Sequence, residues 1–165
     1  MAADPVLKGT EAHITQIGIV VKDLRKTIEY FTSLGLGPFS VRTAVHPSAT
    51  VRGKRASYQV KIGTAQQGPV EIELVEYQEG ETIHEEFLRE KGEGLHHVRF
   101  RVTEIDATLD RFAQKGIDIL QEDRFVGGGG IAYLDTGKTG GVIMEVSQLS
   151  PDYEPKTGIQ YALRK

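Results

Sequence analysis

The chain has 165 residues, 39% hydrophobic and 26% charged, with a net charge of −3. That suffices for one domain or two small halves sharing a core, and the composition is that of a folded chain rather than a disordered one. The weak acidity gives no basis for a nucleic-acid or anionic-membrane partner, and the lack of cysteine excludes disulfides, thiolate metal sites and a cysteine nucleophile.

The opening MAADPVLKGTEAH has no apolar stretch of the signal-peptide kind. No apolar run approaches the roughly 18 residues of a membrane span. The expected location is cytoplasmic. IGIVVKDLRKTIEYFTSLGLGPF, from Ile17, then reads as an alternating strand, an acidic helix start, an amphipathic helix and a glycine stop. Leu24, Ile28, Phe31 and Leu34 recur at helical spacing. Asp23 suits the positive end of that helix, and Gly35 stands where a left-handed cap belongs. Strand-like stretches follow at 39–42, 57–62 and 70–75, with a polar loop expected over 46–54. Residues 82–91 look helical.

From Val98 the pattern returns as VRFRVTEIDATLDRFAQKGIDIL, with an ungapped offset of 81 from Ile17. Val102, Glu104, Ile105, Thr108, Leu109, Phe112 and Gly116 meet Val21, Asp23, Leu24, Thr27, Ile28, Phe31 and Gly35. Strands at 117–120, 131–134 and 142–146 complete a second β-α-β-β-β series. Gly127–Gly130 lacks the lysine–serine ending of a phosphate loop and reads as a hairpin or rim. The reading is an α+β fold of two tandem βαβββ modules, residues 13–76 and 94–148. A helical connector at 77–93 joins them, and a tail from 149 to 165 shows no clear period.

Alternation along strands assigns faces. Ile17, Ile19 and Val21 go under the first helix, which leaves Gln16 and Gly18 on the other face. Val98, Phe100 and Val102 do the same in the second half, leaving His97, Arg99 and Arg101. Glu71 and Glu73 oppose Val70, Ile72 and Leu74, and Glu145 opposes Met144 and Val146. By the same alternation His96 points to the helix face and is taken as structural. His13, His46 and His84 have no companions at ligand spacing. Gln16 and His97 are equivalent positions, and Glu73 and Glu145 are the acidic residues near the end of each fourth strand. If two such units pair their sheets, these four side chains converge. One imidazole, two carboxylates and a carbonyl oxygen suit a divalent ion of the Zn, Co, Ni or Mn type. A single histidine does not match the two-histidine iron site of oxygenases.

HITQIGIVVKDLRKTIEYF, VEIELVEY, GEGLHHVRFRV and GGVIMEVSQL resemble the vicinal-oxygen-chelate superfamily of glyoxalases, bleomycin-resistance proteins and dioxygenases. Within it they are most similar to the methylmalonyl-CoA epimerases, over roughly residues 13–148. The resemblance implies paired modules forming a cup around one metal held by Gln16, Glu73, His97 and Glu145. It implies proton transfer through an enediolate, for which Glu145 is the candidate base, with Glu73 or Glu71 next in line. The expected substrate is a small anionic molecule such as an acyl-CoA, and the expected assembly is a homodimer. Arg99, Gln59 and Lys61 are the expected substrate-binding residues. Gln16 stands where the epimerases have histidine, as in animal-type glyoxalase I. Gln59 stands where they have a catalytic glutamate, which favours chemistry with a single base. Three readings stay open: epimerase or isomerase, glyoxalase-type lyase, and a non-catalytic binding protein. The retained carboxylates argue against the last.

Overall fold

The computed structural model describes residues 5–7, 13–138 and 140–149, and the backbone of 159–161. Its elements in chain order are β1 (Gln16–Val21), α1 (Leu24–Ser33), β2 (Phe39–Val51), β3 (Lys54–Gln67), β4 (Val70–Gly80), α2 (Ile83–Lys91), β5 (Gly94–Arg101), α3 (Ile105–Gln114), β6 (Ile119–Arg124), β7 (Gly130–Leu134), β8 (Ile143–Gln148) and β9 (Ile159–Tyr161). The architecture is mixed α+β, as the sequence implied. Among the described residues no helix is long and apolar enough to cross a membrane.

The strands run β3-β4-β1-β5-β8-β7-β6-β2, and β2 also pairs with β3, so eight strands close into a barrel-like cup. The two halves have the same internal order. In each, the first strand lies parallel to the fourth (β1 on β4, β5 on β8). The halves meet through β1 and β5, both antiparallel, and through β2 and β6, also antiparallel. The second seam is short, with only Thr50–Glu122 and Val51–Gln121 in register.

The helices cover the outside. Leu24, Ile28 and Phe31 of α1 pack on Ile19, Val21, Ile72 and Leu74, while Ile105, Leu109 and Phe112 of α3 pack on Val102, Met144 and Val146. These are the faces that alternation assigned. Leu34 falls past the end of α1 and is exposed, and Leu36 takes its place against the core. Asp23 caps α1 through the Lys26 N–H, and both helices stop at left-handed Gly35 and Gly116. Each helix start is also held by the fourth strand of its own half. Glu76 accepts from the Leu24 N–H at 2.6 Å, and Gln148 accepts from the Ile105 N–H at 2.7 Å.

Two expectations are corrected. The polar loop over 46–54 is mostly strand: β2 runs to Val51 and turns at Arg52–Gly53, because Ala49 and Val51 are fully buried and anchor its far end. The first module does not stop at residue 76, since β4 continues to Gly80. Within the tail, whose sequence shows no clear period, β9 pairs with Phe39–Val41 of β2; the rest of 150–165 lies outside the described residues. The helix over 82–91 is present as α2. Its first turn enters the interior, where Ile83 packs with Val51, Ala56, Leu120 and Tyr133.

Candidate metal centre

Sheet register lines up the interior polar residues in two rows. Glu73, Gly18 and His97 are adjacent on β4, β1 and β5. One step along, Glu71, Gln16, Arg99, Glu145 and Tyr133 are adjacent on β4, β1, β5, β8 and β7. All residues of a row share a face, so an unbroken band of polar groups crosses the inside of the cup. Gly18 is the gap in the first row. The His97 imidazole lies in that space, where a Cβ on residue 18 would stand 1.9 Å from Cε1.

The four side chains singled out in the sequence come together here. Nε2 of His97 lies 3.0 Å from Glu145 Oε2, 3.3 Å from Gln16 Oε1 and 3.5 Å from Glu73 Oε2. All four residues are buried, His97 completely. The Gln16 contact is a hydrogen bond, but Glu145 Oε2, although the nearest oxygen, is a buried acceptor with no hydrogen-bond partner. Oxygens gathered around one nitrogen, the closest of them unsatisfied, fit a set of donors that share a cation. Gln16 is aimed by Glu71, whose Oε1 accepts from Gln16 Nε2 at 2.6 Å and leaves the amide oxygen facing His97.

The electrostatics run the same way. Burial alone would push His97 down, but the carboxylates of Glu145 and Glu73 outweigh it and lift the imidazole to about 9. Burial would raise Glu73, but His97 and Arg99 outweigh it and bring the carboxyl to about 2. With no cation bound, a proton on His97 serves as the counter-charge. Below about 6.5 this proton is bound in folded and unfolded chains alike, and its stabilisation is fully present. That stabilisation is lost as pH rises through about 9. On the acid side, the Glu73 contribution is full above about 4.5 and lost as pH falls through about 2. Protein stripped with a chelator should therefore melt at progressively lower temperature between pH 6.5 and 9. Protein loaded with a divalent ion should not, because the ion replaces the proton. A chelator-insensitive pH profile in differential scanning calorimetry would contradict this.

A second cluster adjoins the first. Ligand nitrogens of His84, His96 and His97 all lie within 4.8 Å of one another and are buried. These three rings could hold an ion, but they bring no negative charge to offset it, whereas the other side of His97 brings two carboxylates. The His96 ring has a different role. Its Nδ1 meets Nδ1 of His97 at 3.0 Å, and burial, with His84 beside it, holds His96 neutral, well below the usual histidine range. It can accept the His97 Nδ1–H and so fix the tautomer that turns Nε2 toward the carboxylates.

The cluster opens on a cavity of about 470 Å³ whose walls include Arg42, His46, Tyr58, Glu73, Arg99 and Glu145. A sequence profile described as the glyoxalase/bleomycin resistance protein/dioxygenase superfamily matches residues 15–134. The chain belongs to this superfamily. It is 27% identical over 130 residues to the uncharacterized protein YqjC of Bacillus subtilis (strain 168), a match covering 72% of this chain and 91% of that one. Among solved structures it resembles a hypothetical protein from Bacillus halodurans C-125, with a TM-score of 0.63, 21% identity, and coverage of 87% and 98% of the two chains. It also resembles a methylmalonyl-CoA epimerase in complex with methylmalonyl-CoA, with a TM-score of 0.61, 23% identity, and coverage of 86% and 97%. Likeness at this identity establishes the fold.

Of the three expected substrate contacts, one lines the cavity. Arg99 is on the cavity wall, but its Nη2 donates to Glu71 Oε1 at 3.1 Å and its Nη1 lies 3.9 Å from Glu145 Oε1. Its charge is already matched by the carboxylates it orders. Arg99→Met should leave them unpaired and destabilise the protein by about 1–3 kcal/mol, a fall in melting temperature of roughly 2–4 °C per kcal/mol. An unchanged melting curve would return Arg99 to the role of a free substrate anchor. Gln59 and Lys61 do not line the cavity. Tyr58, Val60 and Ile62 occupy the inner face of β3, which turns Gln59 and Lys61 outward, and Lys61 lies 3.8 Å from Glu76.

Four interior residues escaped the sequence reading. Register shifts on β5: Gly18 pairs with His97 and Ile19 with Leu95, so His96 is an extra residue in a bulge. Its ring lies against His84, Phe87 and Tyr133 rather than under α3. His84 is buried on α2 and held to about 3 by burial and by His97. Its Nδ1 meets Thr82 Oγ1 at 2.9 Å, and Gln121 Oε1 accepts from both Thr82 Oγ1 and the Ile83 N–H. His46 and Asp123, finally, are in direct contact through Nδ1 and Oδ2. No spacing rule reaches across β2, β6, α2 and β5, so only the folded chain reveals these partners.

Proposed function

We propose that the protein is a divalent-metal-dependent epimerase or isomerase that moves a proton on a carbon next to a carbonyl group. The observation that carries this reading is the buried convergence of Gln16, Glu73 and Glu145 on His97, beside a cavity that Glu73 and Glu145 line. Gln16, Glu73, His97 and Glu145 would hold the ion. When bound, it supplies a Lewis acid for two neighbouring oxygens of the substrate. Glu145 then acts as the base: its carboxylate borders the cavity, with Oε2 3.0 Å from His97 Nε2. Glu73, pinned as an anion beside His97, is the better permanent ligand. Tyr133, next to Glu145 in register, is kept neutral by burial and by that carboxylate.

An anionic substrate still fits, through a different cation. Among the described residues Arg42 lines the cavity without an ion-pair partner, and it faces Glu73 closely enough to lower that carboxyl. The cavity can take the acyl end of a thioester and leaves a CoA nucleotide outside. We read the two halves as copies of one unit, supported by their matching strand order and by the matching caps from Glu76 and Gln148. A homodimer in the cytoplasm belongs to the same reading.

The test is to strip the protein, reload it with Zn, Co, Ni or Mn, and assay methylmalonyl-CoA in parallel with the hemithioacetal of methylglyoxal and glutathione. Metal-dependent inversion of the first is expected. Turnover of the second alone would favour a glyoxalase-type lyase, the reading that Gln16 in the ligand set supports. No turnover and no bound metal would end both.

A further inference from the structure

Inverting a carbon centre calls for proton transfer on two faces, and Gln59, which stands where the epimerases have a catalytic glutamate, carries no titratable group and does not line the cavity. The structure provides a different one. His46 on β2 and Asp123 on β6 touch through Nδ1 and Oδ2, and both line the cavity that holds Glu73 and Glu145. Asp123 occupies Nδ1, so the ring keeps Nε2 as its free proton-transfer atom; among the described residues no partner is seen for it. Tyr58 stacks face to face on the imidazole, with centroids 4.4 Å apart and planes 7° apart, and fixes the ring plane. In the closed order β2 stands four strands from β5 in either direction, so His46 is on the wall opposite the strand that bears His97.

We propose that His46, oriented by Asp123, is the second proton-transfer residue of the reaction, acting on the substrate face opposite Glu145. This rests on the epimerase reading above. The substrate class is a carboxylated thioester with an acidic C–H between two carbonyl carbons. Glu145 takes the proton as the C–H bond breaks, and the electron pair delocalises onto the neighbouring oxygens. The carbon is then reprotonated from the other face by the Nε2–H of His46 in its imidazolium form, whose N–H electrons stay on the ring. Protonated Glu145 and neutral His46 exchange protons with water, so nothing is oxidised, reduced or consumed. Asp123 is a positioning residue: it sets the tautomer and supports the positive ring. A purely structural role is the rival, because the contact extends the short β2–β6 seam by two side chains.

The experiment uses the full-length, zinc-loaded protein and each epimer of methylmalonyl-CoA separately in D₂O, following inversion and deuterium uptake separately. The wild type should invert the centre with solvent deuterium incorporated. His46→Gln should slow inversion by at least about 100-fold, yet still wash deuterium through Glu145 into the unreacted epimer whose C–H faces it, with the metal content unchanged and the protein folded. Asp123→Asn should give a smaller loss of inversion with the same split. Inversion by His46→Gln at near wild-type rate overturns the assignment. So does a parallel loss of exchange and inversion with lowered melting temperature, which marks a latch. A wild type that neither exchanges nor inverts removes the epimerase reading and this inference with it, whereas a wild type that inverts while His46→Gln behaves identically removes only the inference.

Discussion

Gly18→Ala should abolish metal binding and turnover in a protein that still folds. The added Cβ would lie 1.9 Å from His97 Cε1, 2.2 Å from Nε2 and 2.4 Å from Nδ1. None of these separations is tolerable, and the ring can move only by leaving its place among His84, His96 and Tyr133, where it is completely buried. Residue 18 has no left-handed backbone requirement, so the effect is a steric one on the site and not on the chain path. The displaced imidazole would leave Glu73 and Glu145 without their counter-charge. Overpacking of this kind costs about 1–3 kcal/mol in stability, and loss of one of four ligands should weaken zinc binding by at least about 100-fold, judging by the 10–100-fold cost of losing even an outer partner of a ligand. Gly63→Ala is the control. There the Cβ meets only the side-chain ends of Ile28 and Leu24, at 3.0 and 3.1 Å, which can give. Zinc titration of both variants, with circular dichroism for the fold, checks the result. Normal zinc affinity in Gly18→Ala would mean that His97 is no ligand.

That glycine was visible in the sequence only as a residue on the inner face of a strand. What alternation did reveal was phase: Gln16, Glu73, His97 and Glu145 all fell on the side away from the helices, and their side chains meet. Phase was readable where one face packs under a helix and the other carries charge. It was not readable on β3, where the apolar residues Tyr58, Val60 and Ile62 line the cavity and the polar Gln59 and Lys61 take the other face. Polarity therefore pointed the wrong way for Gln59 and Lys61. The bulge at His96 broke the period by one residue, and a bulge leaves no mark in the pattern unless a glycine or proline announces it. Arg99 lies on the inner face as alternation placed it, but that Glu71 and Glu145 stand beside it and match its charge emerges only in the fold. The His46–Asp123 pair joins residues 77 apart on strands from different halves, beyond the reach of any local rule.

Glu145→Gln should remove turnover while leaving the fold and most of the metal affinity in place. The substitution keeps size and one carbonyl oxygen, so the side chain can still fill its buried place between Arg99 and His97, but it cannot take a proton from carbon. Loss of a general base typically costs about 10² to 10⁴ in rate, and the fall should appear in kcat rather than in KM. Glu73→Gln is the informative contrast. Both variants remove one buried negative charge, and in both the His97 proton should be held less tightly, since Glu145 and Glu73 together lift it to about 9. If Glu145 is the base and Glu73 only a ligand, Glu73→Gln should weaken zinc binding and regain turnover when zinc is raised, while Glu145→Gln should stay inactive at saturating zinc. Deuterium wash-in separates them further: Glu145→Gln should exchange nothing on its own face of the substrate. Recovery of Glu145→Gln at high zinc, or a Glu73→Gln variant inert at every zinc concentration, would move the base to Glu73, whose carboxyl lies 3.5 Å from the same nitrogen.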